Sequence, residues 1–299
     1  MNLFQPLIDT GTTRRKFTLA AGAALAMGMY KPSLAAPFIN TQTAGSRDPT
    51  FIFVHGFTCS LDDFKAQVDA LSPNYRCVSL DLPGHGGSSM PEDPRIETLA
   101  AAVNEVKRRN GAGKVILVGH SMGVRVVREA YRQSSAGVSG LVLMDGVTYV
   151  GEMDVLISKL RDQIRQVGYP AYVQASFGGM FMEGSDTKLR DKAIARAMKL
   201  DPKFAEELLV ENFRWELTGG AAALKEIAVP VLVIQSTYTN AQGKRVSMTE
   251  GVKTPFMELV SKVVPKADVR MIPGIGHFTM IEAPDTVNQY LREFAGRVA

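Results

Sequence analysis

Gly119-His120-Ser121-Met122-Gly123 is the segment of this sequence with the clearest chemical potential. Glycines flank a serine two residues to either side, directly after the apolar run Val115-Ile116-Leu117-Val118 and directly before a helical pattern. That context fits a sharp strand–turn–helix in which the serine is held in a strained conformation and the glycines leave room for close backbone approach. A serine hydroxyl becomes a nucleophile only when a base takes its proton. Of the four histidines, His55, His85 and His120 each sit in a turn motif. His277, in Pro273-Gly274-Ile275-Gly276-His277-Phe278, follows the last strand-like run and can meet Ser121 at the same sheet edge. His277 is the expected general base. An acyl intermediate also carries an oxyanion, which needs preorganised donors. The expected donors are the N–H groups of Met122, within the motif, and of Phe57, in the loop Val54-His55-Gly56-Phe57.

A carboxylate must orient the imidazole and stabilise the imidazolium that forms in each step. Two candidates exist. Asp145 directly ends the apolar run Leu141 to Met144, so a rigid element fixes it at the sheet edge. Glu250 belongs to the long loop Thr239 to Lys253, where no strand end pins it. Rigid support favours Asp145. A turn or N-cap aspartate before Gly146 is the structural alternative.

The elements that must position these residues alternate regularly. Short continuous apolar runs read as buried parallel strands at Phe51 to Val54, Arg76 to Leu80, Val115 to Val118, Leu141 to Met144, Val231 to Ile234 and Val269 to Ile272. Between them lie helical patterns, including Leu61, Phe64, Val68 and Leu71 after a capping-box sequence at Ser60, and Ile96, Leu99, Val103 and Val106. Val287, Leu291 and Phe294 mark a closing helix. The fold class this implies is α/β, a mostly parallel sheet covered by helices on both faces. One further short strand is expected at Phe38 to Thr43. Residues 148–224 contain no strand-like run and are expected to form an inserted helical cap, leaving 36–147 and 225–299 as the core. Within the cap, Phe177, Met180, Phe181 and Trp215 are candidates to line a substrate pocket, or else they pack the cap itself.

With 45% hydrophobic and 21% charged residues, the chain has material for a large core and no disorder signature. Its formal charge of +4 is concentrated at the N-terminus, where Arg14, Arg15, Lys16 and Lys31 face only Asp9 within the first 35 residues. The remainder is close to balance, and no basic stripe with interleaved aromatics argues for nucleic acid. Residues 1–35 read as an export signal: the twin arginines precede an uncharged stretch from Phe17 to Tyr30, then the small-residue site Ser33-Leu34-Ala35. A periplasmic or secreted protein beginning near Ala36 is expected, touching a membrane only during export. Export permits disulfides, yet Cys59 and Cys77 are expected at opposite ends of a helix and therefore as free thiols. No cofactor and no metal site is expected.

Taken together, His55-Gly56-Phe57, the turn Asp81-Leu82-Pro83-Gly84-His85-Gly86, Gly119 to Gly123, and Gly276-His277-Phe278 with Glu282-Ala283-Pro284 resemble the α/β-hydrolase superfamily. The resemblance covers residues 50–145 and 228–297. It implies an acyl-enzyme mechanism on a small, apolar carboxylic ester or related acyl compound. C–C bond hydrolysis and lactone hydrolysis would use much the same residues. A carboxylate nucleophile, as dehalogenases and epoxide hydrolases need, is absent where Ser121 stands. Two features depart from the superfamily pattern. The N-terminal hairpin is reduced, and Gln235-Ser236-Thr237-Tyr238-Thr239-Asn240 has no carboxylate where the acid usually falls. The second departure leaves open a non-catalytic ligand-binding protein on the same scaffold.

Overall fold

The computed structural model of the protein describes residues 37–110, 113–240 and 242–298. Residues 1–35, where an export signal is expected, lie outside the described residues. In chain order the strands are β1 (Thr41–Ala44), β2 (Thr50–Val54), β3 (Arg76–Leu80), β4 (Val115–His120), β5 (Val138–Met144), β6 (Val231–Gln235), β7 (Thr237–Thr239), β8 (Arg245–Ser247) and β9 (Asp268–Met271). Seven of them form one sheet in the order β1-β3-β2-β4-β5-β6-β9. All its pairings are parallel except β1 against β3.

Side chains alternate between the two faces of each strand, and both faces are buried. Ile52, Val54, Val78, Leu80, Leu117, Leu141 and Leu143 pack on one side. There they meet α2 (Ile96–Asn110) and α3 (Met122–Gln133). Their sequence neighbours Phe51, Phe53, Ile116, Val118, Val142 and Met144 face the other side. That side is covered by α1 (Lys65–Leu71) and α11 (Pro284–Val298), through Leu71, Val287, Leu291 and Phe294. Continuous apolar runs rather than alternating ones are what a sheet buried on both faces requires.

The inserted segment is helical: α4 (Met153–Val167), α5 (Tyr169–Gly178), α6 (Thr187–Ala197), α7 (Pro202–Trp215), a π-helical turn at Glu216–Gly220, and α8 (Ala221–Lys225). Asp186 and Asp201 cap α6 and α7 by accepting from Lys188 N–H and Phe204 N–H. Helices α9 (Pro255–Val263) and α10 (Thr279–Glu282) complete the core.

Two local expectations fail. The first strand begins at Thr41 rather than Phe38, because Phe38 is exposed and only Ile39 beside it is buried. The stretch from Thr239 to Lys253 is not one loop. Its first half closes the antiparallel hairpin β7–β8, pairing Thr237 with Ser247 and Thr239 with Arg245. The Asn240 side chain accepts from Gln242 and Lys244 N–H to form the turn. Three-residue strands carry too little alternation to register as a pattern. Cys59 and Cys77 are both buried and free.

Candidate active site

β4 ends in His120, and Ser121 turns the chain into α3 with φ 55° and ψ −114°. The chain can fold back this tightly because of the glycines on either side. A Cβ on Gly119 would lie 2.3 Å from the Gly123 carbonyl oxygen, and one on Gly123 would lie 2.3 Å from that of Val54. The loop after β2 presses on the same turn, since a Cβ on Gly56 would come 3.0 Å from the Ser121 Cβ. Among the described residues, only Thr58, Ser121 and Asp145 have positive φ without being glycine. All three lie at the C-terminal edge of the sheet, a concentration of strain of about 1–3 kcal/mol per residue. Neither the Met122 N–H, at the first position of α3, nor the Phe57 N–H donates to a backbone carbonyl among the described residues.

Asp145 follows β5 directly and is fully buried. Parallel pairing of Met144 with Ile234 sets the ends of β5 and β6 side by side. Gln235 at the end of β6 and the two residues after it thereby become donors to the carboxylate. Oδ1 accepts from Ser236 N–H (2.9 Å), Thr237 N–H (2.8 Å) and Gln235 Nε2 (3.0 Å). Oδ2 accepts from the Thr237 hydroxyl (2.6 Å) and lies 2.5 Å from His277 Nδ1. Burial alone would raise the Asp145 pKa. The His277 hydrogen bond, the imidazole charge and Arg245 outweigh it and bring the pKa down to about 2. The group is therefore a carboxylate, an acceptor only, and His277 Nδ1 must carry the proton. Nε2 is left with its lone pair.

His277 lies beyond β9, held by hydrogen bonds at both its own N–H and its own carbonyl. Its N–H donates to the Met180 carbonyl of the cap (2.8 Å), and its own carbonyl accepts from His120 Nε2 (2.8 Å). The His120 and His277 rings are 4.7 Å apart, which brings His277 beside the turn holding Ser121. Burial lowers the His277 pKa, the nearby Arg245 charge lowers it further, and Asp145 pulls the other way. The remaining histidines are occupied structurally. His55 Nε2 accepts from Leu82 N–H (2.9 Å), so Nδ1 donates to the Gly56 carbonyl (2.7 Å) beneath the loop of Phe57. Burial brings His55 down to about 4, and His85 and His120 to about 3.

Three of the four cap candidates come together over this edge. Phe177 packs near Phe57 with ring centroids 6.3 Å apart, and Phe181 stacks on Phe278 at 5.0 Å. Met180 supplies the carbonyl that holds His277. Trp215 does not join them, and its pocket assignment is corrected. Its indole N–H donates to Glu129 (3.1 Å) and its ring underlies the Arg128 guanidinium, so it packs against α3 instead. An amphipathic indole is placed by its hydrogen bond as much as by its apolar surface. Glu250 is exposed in the turn following β8. Sequence reasoning missed Arg245, whose Nη1 lies 3.7 Å from Asp145 Oδ2 and 3.4 Å from His277 Nδ1. It sits on the short hairpin that left no periodic signal. Among the described residues no group of three or more His, Cys, Asp or Glu side chains is gathered as for a metal ion.

A serine held at a strained strand–helix turn, with a histidine–carboxylate pair at the same edge of a mostly parallel sheet, defines the α/β-hydrolase class. The alpha/beta hydrolase family model matches residues 51–290, and the chain belongs to that family. It is 24% identical over 260 residues to Lipase 3 of Moraxella sp. (strain TA144), covering 80% of this chain and 75% of that protein. A thermophilic esterase from Thermogutta terrifontis superposes with a TM-score of 0.73 at 21% identity, over 90% of this chain and 96% of the other. The enol-lactonase from Burkholderia xenovorans LB400 superposes with a TM-score of 0.71 at 19% identity, over 87% and 97%. At such identities the structural likeness speaks to the fold.

Proposed function

We propose that this protein is a serine hydrolase that cleaves a carboxylic ester or related acyl compound through an acyl-enzyme intermediate. The observation that carries the reading is the 2.5 Å contact of Asp145 with His277 Nδ1 beside a strained Ser121. With Nδ1–H committed to the carboxylate, His277 Nε2 is the nitrogen free to act as base. It takes the Ser121 proton as Oγ attacks the acyl carbon, then returns it to the leaving alcohol as the C–O bond breaks. Water repeats the sequence on the acyl-enzyme, releasing the acid and restoring Ser121. The N–H groups of Met122 and Phe57 are free to hold the oxyanion of each tetrahedral intermediate.

Phe57, Phe177, Phe181 and Phe278 near this edge support an apolar acyl or alcohol group. A lactone is an ester closed on itself, so esters and lactones belong to one reading here. Ser121→Ala tests it. Across a panel of esters graded by chain length, with lactones included, kcat should fall by several orders of magnitude, up to about 10⁶. Activity within tenfold of the unaltered protein would end the reading.

The leader supports action outside the cytoplasm. Mature protein from bacterial culture should begin near Ala36, and replacing Arg14 and Arg15 together by lysine should block export. Unaffected secretion would remove the twin-arginine route.

A further inference from the structure

Arg245 stands behind the acid–base pair and takes part in no step of the reaction above. Its Nη1 donates to the Thr237 hydroxyl (2.7 Å), and that hydroxyl passes its own hydrogen to Asp145 Oδ2 (2.6 Å). The same oxygen receives His277. The guanidinium is 3.7 Å from it and 3.4 Å from His277 Nδ1. Nδ1 and Nη1 are both donors, so the second contact is one of charge and not a hydrogen bond. The hairpin β7–β8 fixes this arrangement, because its register sets Arg245 opposite Thr239, two residues from Thr237.

We propose that Arg245 is a positioning residue for the proposed acid–base pair, holding the Thr237 hydroxyl and the Asp145 carboxylate in the orientation that receives His277. The proposal rests on the serine-hydrolase reading for its catalytic consequence. That consequence follows from charge. A cation this close disfavours the imidazolium, so His277 remains a neutral base to lower pH than it would beside Asp145 alone. Asp145 at 2.5 Å is nearer to the ring than Arg245 at 3.4 Å, so the pair still attracts.

The other groups packed against His277 contribute less. His120 faces it from the end of β4 and is held neutral by burial. Met180 of the cap presents only a carbonyl. Glu282, on α10, directs its carboxylate to Gly276 N–H (3.2 Å) and to the Ser185 hydroxyl (2.6 Å).

Arg245 is 22% exposed and lines a cavity of about 80 Å³ with Gln235 and Thr254, so a shorter side chain fits without clash. Arg245→Gln and Arg245→Lys are the test variants, read by the pH dependence of kcat/KM on an uncharged ester. Arg245→Gln should move the acid limb upward by about half to one pH unit, and Arg245→Lys should keep it near the original position. An unmoved limb in Arg245→Gln, or an equal loss at every pH in both variants, overturns the proposal. NMR titration of the His277 imidazole in a Ser121→Ala background reads the same shift without turnover. A shift there in a protein that hydrolyses nothing would uphold the charge arrangement while the hydrolase reading fell. No shift would overturn the proposal regardless of activity.

Discussion

Asp145→Asn changes one atom in a site where each carboxylate oxygen already has assigned partners. Oδ1 receives three N–H donors, from Gln235, Ser236 and Thr237, so the amide oxygen of the asparagine must take that position. The NH2 group is then forced into the place of Oδ2, facing His277 Nδ1. One N–H of the amide can turn to the Thr237 hydroxyl oxygen, but the other faces His277 and is satisfied by the Nδ1 lone pair, which transfers the ring proton to Nε2. The imidazole stays in place but loses the lone pair that would accept the Ser121 proton. Enforcing the wrong tautomer costs on the order of 10⁴ in kcat, equivalent to about 5.4 kcal/mol of barrier. Initial rates on a saturating ester, with circular dichroism to confirm an intact fold, measure it. Glu250→Gln serves as the control and should change kcat less than twofold, since Glu250 is exposed. An Asp145→Asn protein within tenfold of the unaltered rate, or a comparable loss from Glu250→Gln, would rule out Asp145 as the orienting acid.

Away from the chemistry, Glu216 is, among the described residues, the one carboxylate within ion-pair distance of two buried arginines of α3, Arg125 and Arg128. Arg125 also donates to the Val147 carbonyl and Arg128 to that of Gly220, so the cluster ties both connections of the cap to α3. Glu216→Gln leaves these cations buried without a counter-ion and should destabilise the protein by about 3–5 kcal/mol. That lowers Tm by on the order of 10 °C, and an unchanged melting curve would contradict it. For the thiols, burial pushes Cys77 up to about 12 and Cys59 well above its ordinary value. Native protein should react slowly with a thiol reagent and denatured, unreduced protein should yield two free sulfhydryls; fast native labelling or a zero count would contradict the packing.

Much of this architecture is legible in the sequence because the physics involved is local. Runs such as Val115 to Val118 are continuously apolar because the sheet is covered on both faces, and the turn at Ser121 must carry small residues where backbones nearly touch. The acid is harder to read. Its usual position, at and just beyond the end of β6, holds Gln235, Ser236 and Thr237, which are donors to a carboxylate at the end of the neighbouring strand. Only the register of β5 against β6 brings these segments together, and register is a property of the fold. Arg245 and Trp215 escaped correct reading for the same reason. Arg245 reaches the site through a hairpin too short to leave a pattern. Trp215 is drawn to α3 by Glu129 and Arg128, partners more than eighty residues away.

An activated Ser121 should be open to covalent labelling in the folded protein. At neutral pH a fluorophosphonate should add one phosphonyl group per chain, located by peptide mass spectrometry on the segment containing Ser121. Ser121→Ala should abolish the adduct, and Asp145→Asn should slow its formation. Folded protein that takes up no label, or takes it up at another residue, would mean that Ser121 is not an activated nucleophile.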